Sequence, residues 1–257
     1  MIPYHDENDT VRLAVVTLGI IVICSLVWLF VQEMGSEYAL AASVCNLGLI
    51  PGELTQTLQA GFQFPIGRGL ACVIDPGPQY LHALTSMFLH GGWMHLIGNM
   101  WFLWLFGNNI EDSMTRPRFI AFYLLCGLGA AFAQVVADPS SYVPMVGASG
   151  AISGVMGAYL VLYPRARVYT FVPLGFIFTT IALPAWGMLL YWMAIQVFGG
   201  LAQTVAKEGG GVAFWAHVGG FFTGIVLIKL FAKQNHVVAH EAHQYQPQRV
   251  GWNQRDY

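Results

Sequence analysis

Long apolar runs alternate with short polar joints along the chain. Val11–Gln32 is the first run, followed by Trp93–Ile110, Phe119–Val136, Ser149–Tyr163, Val168–Ala202 and Val212–Phe231. A membrane-spanning helix needs about 20 mostly apolar residues, and Val11–Gln32 meets that length without difficulty. Val168–Ala202 is too long for one simple span. Pro173 and Pro184 divide it into a short interfacial lead-in and a helix near Pro184–Gln203. The pattern therefore predicts an all-α fold: a polytopic membrane bundle of six transmembrane helices, or seven if the lead-in inserts fully. A long loop from Glu33 to about Gly92 separates the first two spans. Residues 1–10 read as a polar N-terminus, 11–233 as the membrane domain and 234–257 as a loose polar tail.

Composition agrees with a membrane protein. Only 9% of residues are charged, against about 25% in a soluble domain, and mean hydropathy is +0.57. The net charge of −2 offers no bulk attraction for nucleic acid. The opening "MIPYHDENDT" is polar and acidic, and the run after it is too long for a signal core, so no cleavable signal is expected. Cys24 and Cys126 lie inside apolar runs and read as small hydrophobes. Cys45 and Cys72 share the long loop and could pair in an oxidising compartment.

Basic residues at the joints set the orientation. Arg12, the Arg116/Arg118 pair, the Arg165/Arg167 pair and Lys229 with Lys233 flank one side, while the other side carries only Arg68 and Lys207. Both termini are then cytoplasmic, and the loop over residues 33–92 is extracytoplasmic.

Orientation converts sequence separation into depth, at about 1.5 Å per helical residue. Ser149 lies about 24 Å above Arg165, Asn99 about 25 Å above Arg116, and His217 about 18 to 24 Å above Lys229 and Lys233. In a hydrocarbon layer of about 30 Å, all three fall a few Å below the outer surface. Polar side chains there need partners or a water-filled cavity, and three at one depth suggest a shared, outward-opening pocket.

The stretch "VGASGAISG" allows two readings. Gly150, Gly154 and Gly157 form a small-residue face, answered on the last span by Ala216, Gly220 and Gly224. Such faces let helices approach closely in lipid, and packing alone would explain them. Packing does not require Ser149 or His217, yet His217 shares the face of Gly220 and Gly224 while Ser149 directly precedes Gly150. If the faces meet, hydroxyl and imidazole meet as nucleophile and base. No Asp or Glu lies in the outer half of any span, so the residues support a Ser-His dyad and not a triad. Acyl transfer also needs oxyanion donors. "HLIGN" supplies His95 and Asn99, one turn apart, and the Ser149 N–H at a helix start is a third. His90, near the end of the loop, would at most order the entrance.

The motifs "GASG", "HGGWMHLIGN" and "AHVGGFFTG", in this order on three spans, together resemble the rhomboid family of intramembrane serine proteases. The similarity runs from about Gln79 to Phe231, and the first span and loop fit its bacterial six-helix form. The resemblance implies a Ser149 nucleophile, a His217 base, His95 and Asn99 at the oxyanion hole, and the fifth span as a lateral gate. It implies transmembrane protein substrates within a lipid bilayer, and no cofactor. Two departures stand out: Ser153 occupies a position that is aromatic in some members, where it stacks on the histidine, and the Trp-Arg pair common in the long loop is absent. Two other functions stay open, a catalytically silent rhomboid-like protein that binds membrane clients and a channel or transporter. The tail histidines His236, His240 and His243 lack the H-E-x-x-H spacing, and no metal site is expected.

Overall fold

The computed structural model describes residues 2–174, 177–206 and 211–244. Lys207, the side chain of His243 and residues 245–257 lie outside what it describes. The chain is mostly helical. It opens with β1 (Ile2–Asp6), then α1 (Val15–Leu26), which a π-helical turn carries on to Val31. The long loop is structured: α2 (Glu37–Leu47), the single turn α3 (Pro51–Leu54), the hairpin β2 (Gln63–Gly67) and β3 (Leu70–Val73), and the single turn α4 (His82–Thr85). The bundle follows as α5 (Trp93–Asp112), α6 (Arg116–Ala137) and α7 (Ser149–Leu162). Next come β4 (Arg167–Leu174), β5 (Ile177–Pro184), α8 (Ala185–Ala206), α9 (Phe214–Phe231) and α10 (Gln234–Gln244).

The all-α expectation is corrected. The lead-in expected before Pro184 is an antiparallel β4–β5 hairpin, to which β1 adds as a third strand in the order β1-β4-β5. The segment "RVYTFVPL" is rich in β-branched and aromatic residues, which favour a pleated strand over a helix. The lead-in therefore supplies no seventh helix.

Helices α6, α8 and α9 are long and apolar enough to cross a membrane, and Val15–Val31 and α7 are shorter apolar helices. Helix α7 stands at the centre, with every residue from Gly150 to Tyr159 buried, as expected for a helix that is apolar all round. Cys45 and Cys72 are joined by a disulfide, which ties α2 to β3 and gives the loop its own small core around Ile50, Phe64 and Ile74.

The polar N-terminus and the described part of the tail, 234–244, are both docked on the bundle. Asp112 accepts hydrogen bonds from the Val11 and Arg12 N–H groups and from Arg12 Nε. His240 of α10 is fully buried between Asp112 and Asn8, 2.8 Å from each. His236 instead meets the Arg12 guanidinium, and among the described residues no group of three or more His, Cys, Asp or Glu could hold a metal ion.

Asp6 accepts from Tyr159 Oη at 2.6 Å and Asn109 Nδ2 at 3.0 Å. Burial pushes its carboxyl up to about 6, although the Tyr159 hydrogen bond opposes that. The folded state thus holds this proton more tightly than the unfolded chain. The resulting stability is full below the unfolded value of 3.8 and is lost as pH rises through 6. Asp6→Asn, which cannot ionise, is expected to match the parent chain at pH 3, below the unfolded value. At pH 7.5 it should be more stable by about 3 kcal/mol, since a tenfold difference in proton affinity corresponds to about 1.4 kcal/mol. Thermal unfolding in detergent at both pH values checks this.

Candidate active site

The two glycine faces meet. A Cβ built on Gly220 would fall on the Gly150 carbonyl oxygen, one on Gly224 on the Gly154 carbonyl oxygen, and one on Gly157 on the Phe221 carbonyl oxygen. Helices α7 and α9 therefore touch backbone to backbone at three points. That approach leaves Ser149 Oγ 2.8 Å from His217 Nε2. The second serine is differently placed: Ser153 Oγ donates to the Ser149 carbonyl at 2.6 Å and is buried.

Ser149 and His217 line a cavity of about 490 Å³, together with His95, Ser86 and Gly147. The Gly91 N–H donates to His95 Nδ1 at 3.2 Å, so the other ring nitrogen, Nε2, carries the proton of the neutral ring. That Nε2 points at Gly147, where a Cβ would stand 2.8 Å from it and 3.6 Å from Ser149 Oγ. Gly147 has φ +126°, a conformation that excludes a side chain. The missing side chain leaves open the space between the His95 donor and the Ser149 hydroxyl. Sequence reasoning missed this role for Gly147, although the residue lies inside the stretch it singled out.

Asn99 is placed differently from the expectation. It shares the face of His95 but does not line the cavity; it is buried, and its Nδ2 donates to the His95 carbonyl at 2.8 Å. Depth along a helix is one coordinate, and the side chain's rotamer here turns the amide back along its own helix. His90 packs its ring edge-on against His95, 5.3 Å between centroids. Burial, and secondarily His95, push the His90 imidazole down to about 3, so it stays neutral.

Two residues that sequence reasoning missed come from α8. Gln196 Oε1 is 2.8 Å from His217 Nδ1, and the Trp192 ring lies 5.7 Å from the His217 ring at 38°. The available signal was a lone glutamine within an apolar run.

A sequence profile of the Rhomboid domain matches residues 77–234, more than half of the chain. The chain belongs to the rhomboid family. The presenilin-associated rhomboid-like protein, mitochondrial, of Mus musculus is 33% identical over 118 residues, covering 42% of this chain and 31% of the mouse protein. RHOMBOID-like protein 5 of Arabidopsis thaliana is 36% identical over 88 residues, 34% of this chain and 28% of that protein. Rhomboid protein 1, mitochondrial, of Saccharomyces cerevisiae is 28% identical over 150 residues, 56% of this chain and 39% of the yeast protein. The chain thus spans about a third of the length of these relatives. Family membership and the apolar helices together make this rhomboid an integral membrane protein.

Proposed function

We propose that this rhomboid is an intramembrane serine endopeptidase that cleaves transmembrane segments of other proteins with a Ser149–His217 dyad. The observation that carries this reading is the 2.8 Å contact between Ser149 Oγ and His217 Nε2, inside a cavity lined by a histidine whose proton faces the same space. His217 Nε2 takes the hydroxyl proton as Oγ attacks the scissile carbonyl carbon. His95 Nε2–H and the Ser149 N–H, unpaired in its own helix at the first turn, hold the oxyanion. The proton on His217 passes to the departing amide nitrogen as the C–N bond breaks. Water, deprotonated by the same Nε2, then cleaves the acyl ester and restores Ser149. Asn99 supports this arrangement through the His95 carbonyl.

Helix α7 has 14 residues, so it rises about 21 Å and is shorter than a hydrocarbon layer of about 30 Å. Its first residue, Ser149, is thereby set below the membrane surface and within reach of water from the outer side. Both termini are cytoplasmic in this orientation, and the substrate enters from the side past α8. A second cavity of about 580 Å³, sharing His95 and Val146 with the first and continuing to Tyr142 and Trp215, gives the unwound substrate room. A rhomboid-like protein that only binds clients needs no hydrogen-bonded dyad, and a transporter needs no nucleophile. A fluorophosphonate or isocoumarin probe, followed by peptide mapping, is expected to place the label on Ser149. Absence of label, together with intact transmembrane substrates, would refute the reading.

A further inference from the structure

Among the described residues, none that lines the cavity of the Ser149–His217 pair is an Asp or Glu that could orient the imidazole. A neutral imidazole carries one proton, and it serves as a base for Ser149 only when that proton sits on Nδ1. Something must therefore favour Nδ1–H. Gln196 Oε1 stands 2.8 Å from Nδ1. Which way its amide faces is set by a second contact: Gln196 Nε2 donates to the Trp192 carbonyl, one turn back, at 3.3 Å. That leaves the oxygen, an acceptor only, facing the ring. The reverse orientation would present an N–H to Nδ1, move the proton to Nε2, and remove the base from Ser149.

The placement of Gln196 in α8 supports the same conclusion. The buried stripe of α8 is Ala185, Met188, Leu189, Met193, Gln196 and Gly200, so one amide interrupts an otherwise apolar or small face. A buried amide without a partner costs free energy, and this one finds its partners in the histidine and its own helix. Trp192, four residues earlier, lies against the His217 ring and also against Phe221, 6.4 Å between centroids. The ring support that Ser153 does not provide thus comes from α8.

We propose that Gln196 is the positioning residue of the dyad: its amide oxygen accepts the Nδ1–H of His217 and keeps Nε2 free to take the Ser149 proton, while Trp192 holds the ring plane. The proposal rests on the protease reading above. It makes the helix beside the entrance part of the catalytic geometry, because α8 and not α7 or α9 holds the far side of the base.

The test is steady-state cleavage of a fluorogenic transmembrane peptide by the full chain in detergent, comparing the parent with Gln196→Leu, Gln196→Met and Gln196→Glu. Leu and Met remove the acceptor. Either is expected to lower kcat about 10- to 100-fold, the usual cost of losing a group that orients a functional histidine, with KM within about twofold. Gln196→Glu keeps an oxygen facing Nδ1 but loses the donor to the Trp192 carbonyl, and it is expected to recover most of kcat. A purely structural role for the amide predicts the opposite, with Glu failing as Leu does. Parent-like kcat in Gln196→Leu, or Glu as inactive as Leu, overturns the proposal. Should the Leu and Met chains not fold, the Glu chain decides alone. A parent chain that neither cleaves nor takes the serine probe refutes the protease reading itself, which is a separate outcome.

Discussion

Ser149→Ala is expected to end proteolysis while leaving the fold in place. The loss of one hydroxyl removes a single hydrogen bond, to His217 Nε2, worth about 1 kcal/mol. His217 keeps its contacts with Gln196 and Trp192, so the ring stays where it is. The rate, by contrast, loses its nucleophile, and residues that act as one unit cost about 10⁴- to 10⁶-fold when removed. His217→Ala should cost about as much, since the hydroxyl without a base is a poor nucleophile. The double variant should be no worse than either single one, because the second substitution removes a partner that has already lost its function. Single-turnover cleavage of a transmembrane peptide measures all three, and circular dichroism with thermal unfolding checks the fold. Additive losses in the double variant would mean that the two residues act separately.

What could be read from the sequence was governed by periodicity. The glycines Gly150, Gly154 and Gly157 and their counterparts Gly220 and Gly224 are spaced at helical repeats within single runs, so their faces could be matched without a structure. The meeting of Ser149 with His217 followed from that match. Contacts between distant segments were not legible. Strand β1 pairs with β4 more than 160 residues away, and hydropathy, which scores length and apolarity, reads the segment from Val168 to Pro184 only as an interfacial lead-in and carries no sign of strand pairing. Gln196 faces His217 only because α8 has one particular rotation about its axis, which a sequence depth estimate does not contain. Asn99 shows the same limit in reverse: its depth was estimated, yet its amide turns to the His95 carbonyl. The tail misled for a different reason. Its helix α10 docks through polar contacts, His240 with Asp112 and Asn8, so its polarity marked an interface that hydropathy scores as solvent-exposed.

Gly220→Ala should uncouple the same site without touching either of its reacting groups. The added methyl falls on the Gly150 carbonyl oxygen and also stands 3.4 Å from the Ala130 side chain. A backbone oxygen cannot rotate aside as a side chain can, so α9 must move away from α7. Overpacking of this kind costs about 1–3 kcal/mol. The functional loss should be larger in proportion, because Gly150 follows Ser149 directly and Gly220 lies one turn from His217 on the same face. A shift of about 1 Å at this level stretches the 2.8 Å contact beyond hydrogen-bond length. Misplacement of that size can cost about 100-fold in rate. Gly224→Ala meets the Gly154 carbonyl one turn further along and should carry a similar stability cost with a smaller effect on the dyad. Gly98→Ala is the control: nothing lies within 4 Å of its Cβ, and Ala is the better helix former by about 1 kcal/mol. Thermal unfolding and the rate of serine-probe labelling, measured on the three variants, separate the two effects. If Gly220→Ala labels at the parent rate, backbone contact between α7 and α9 is not what brings Ser149 to its base.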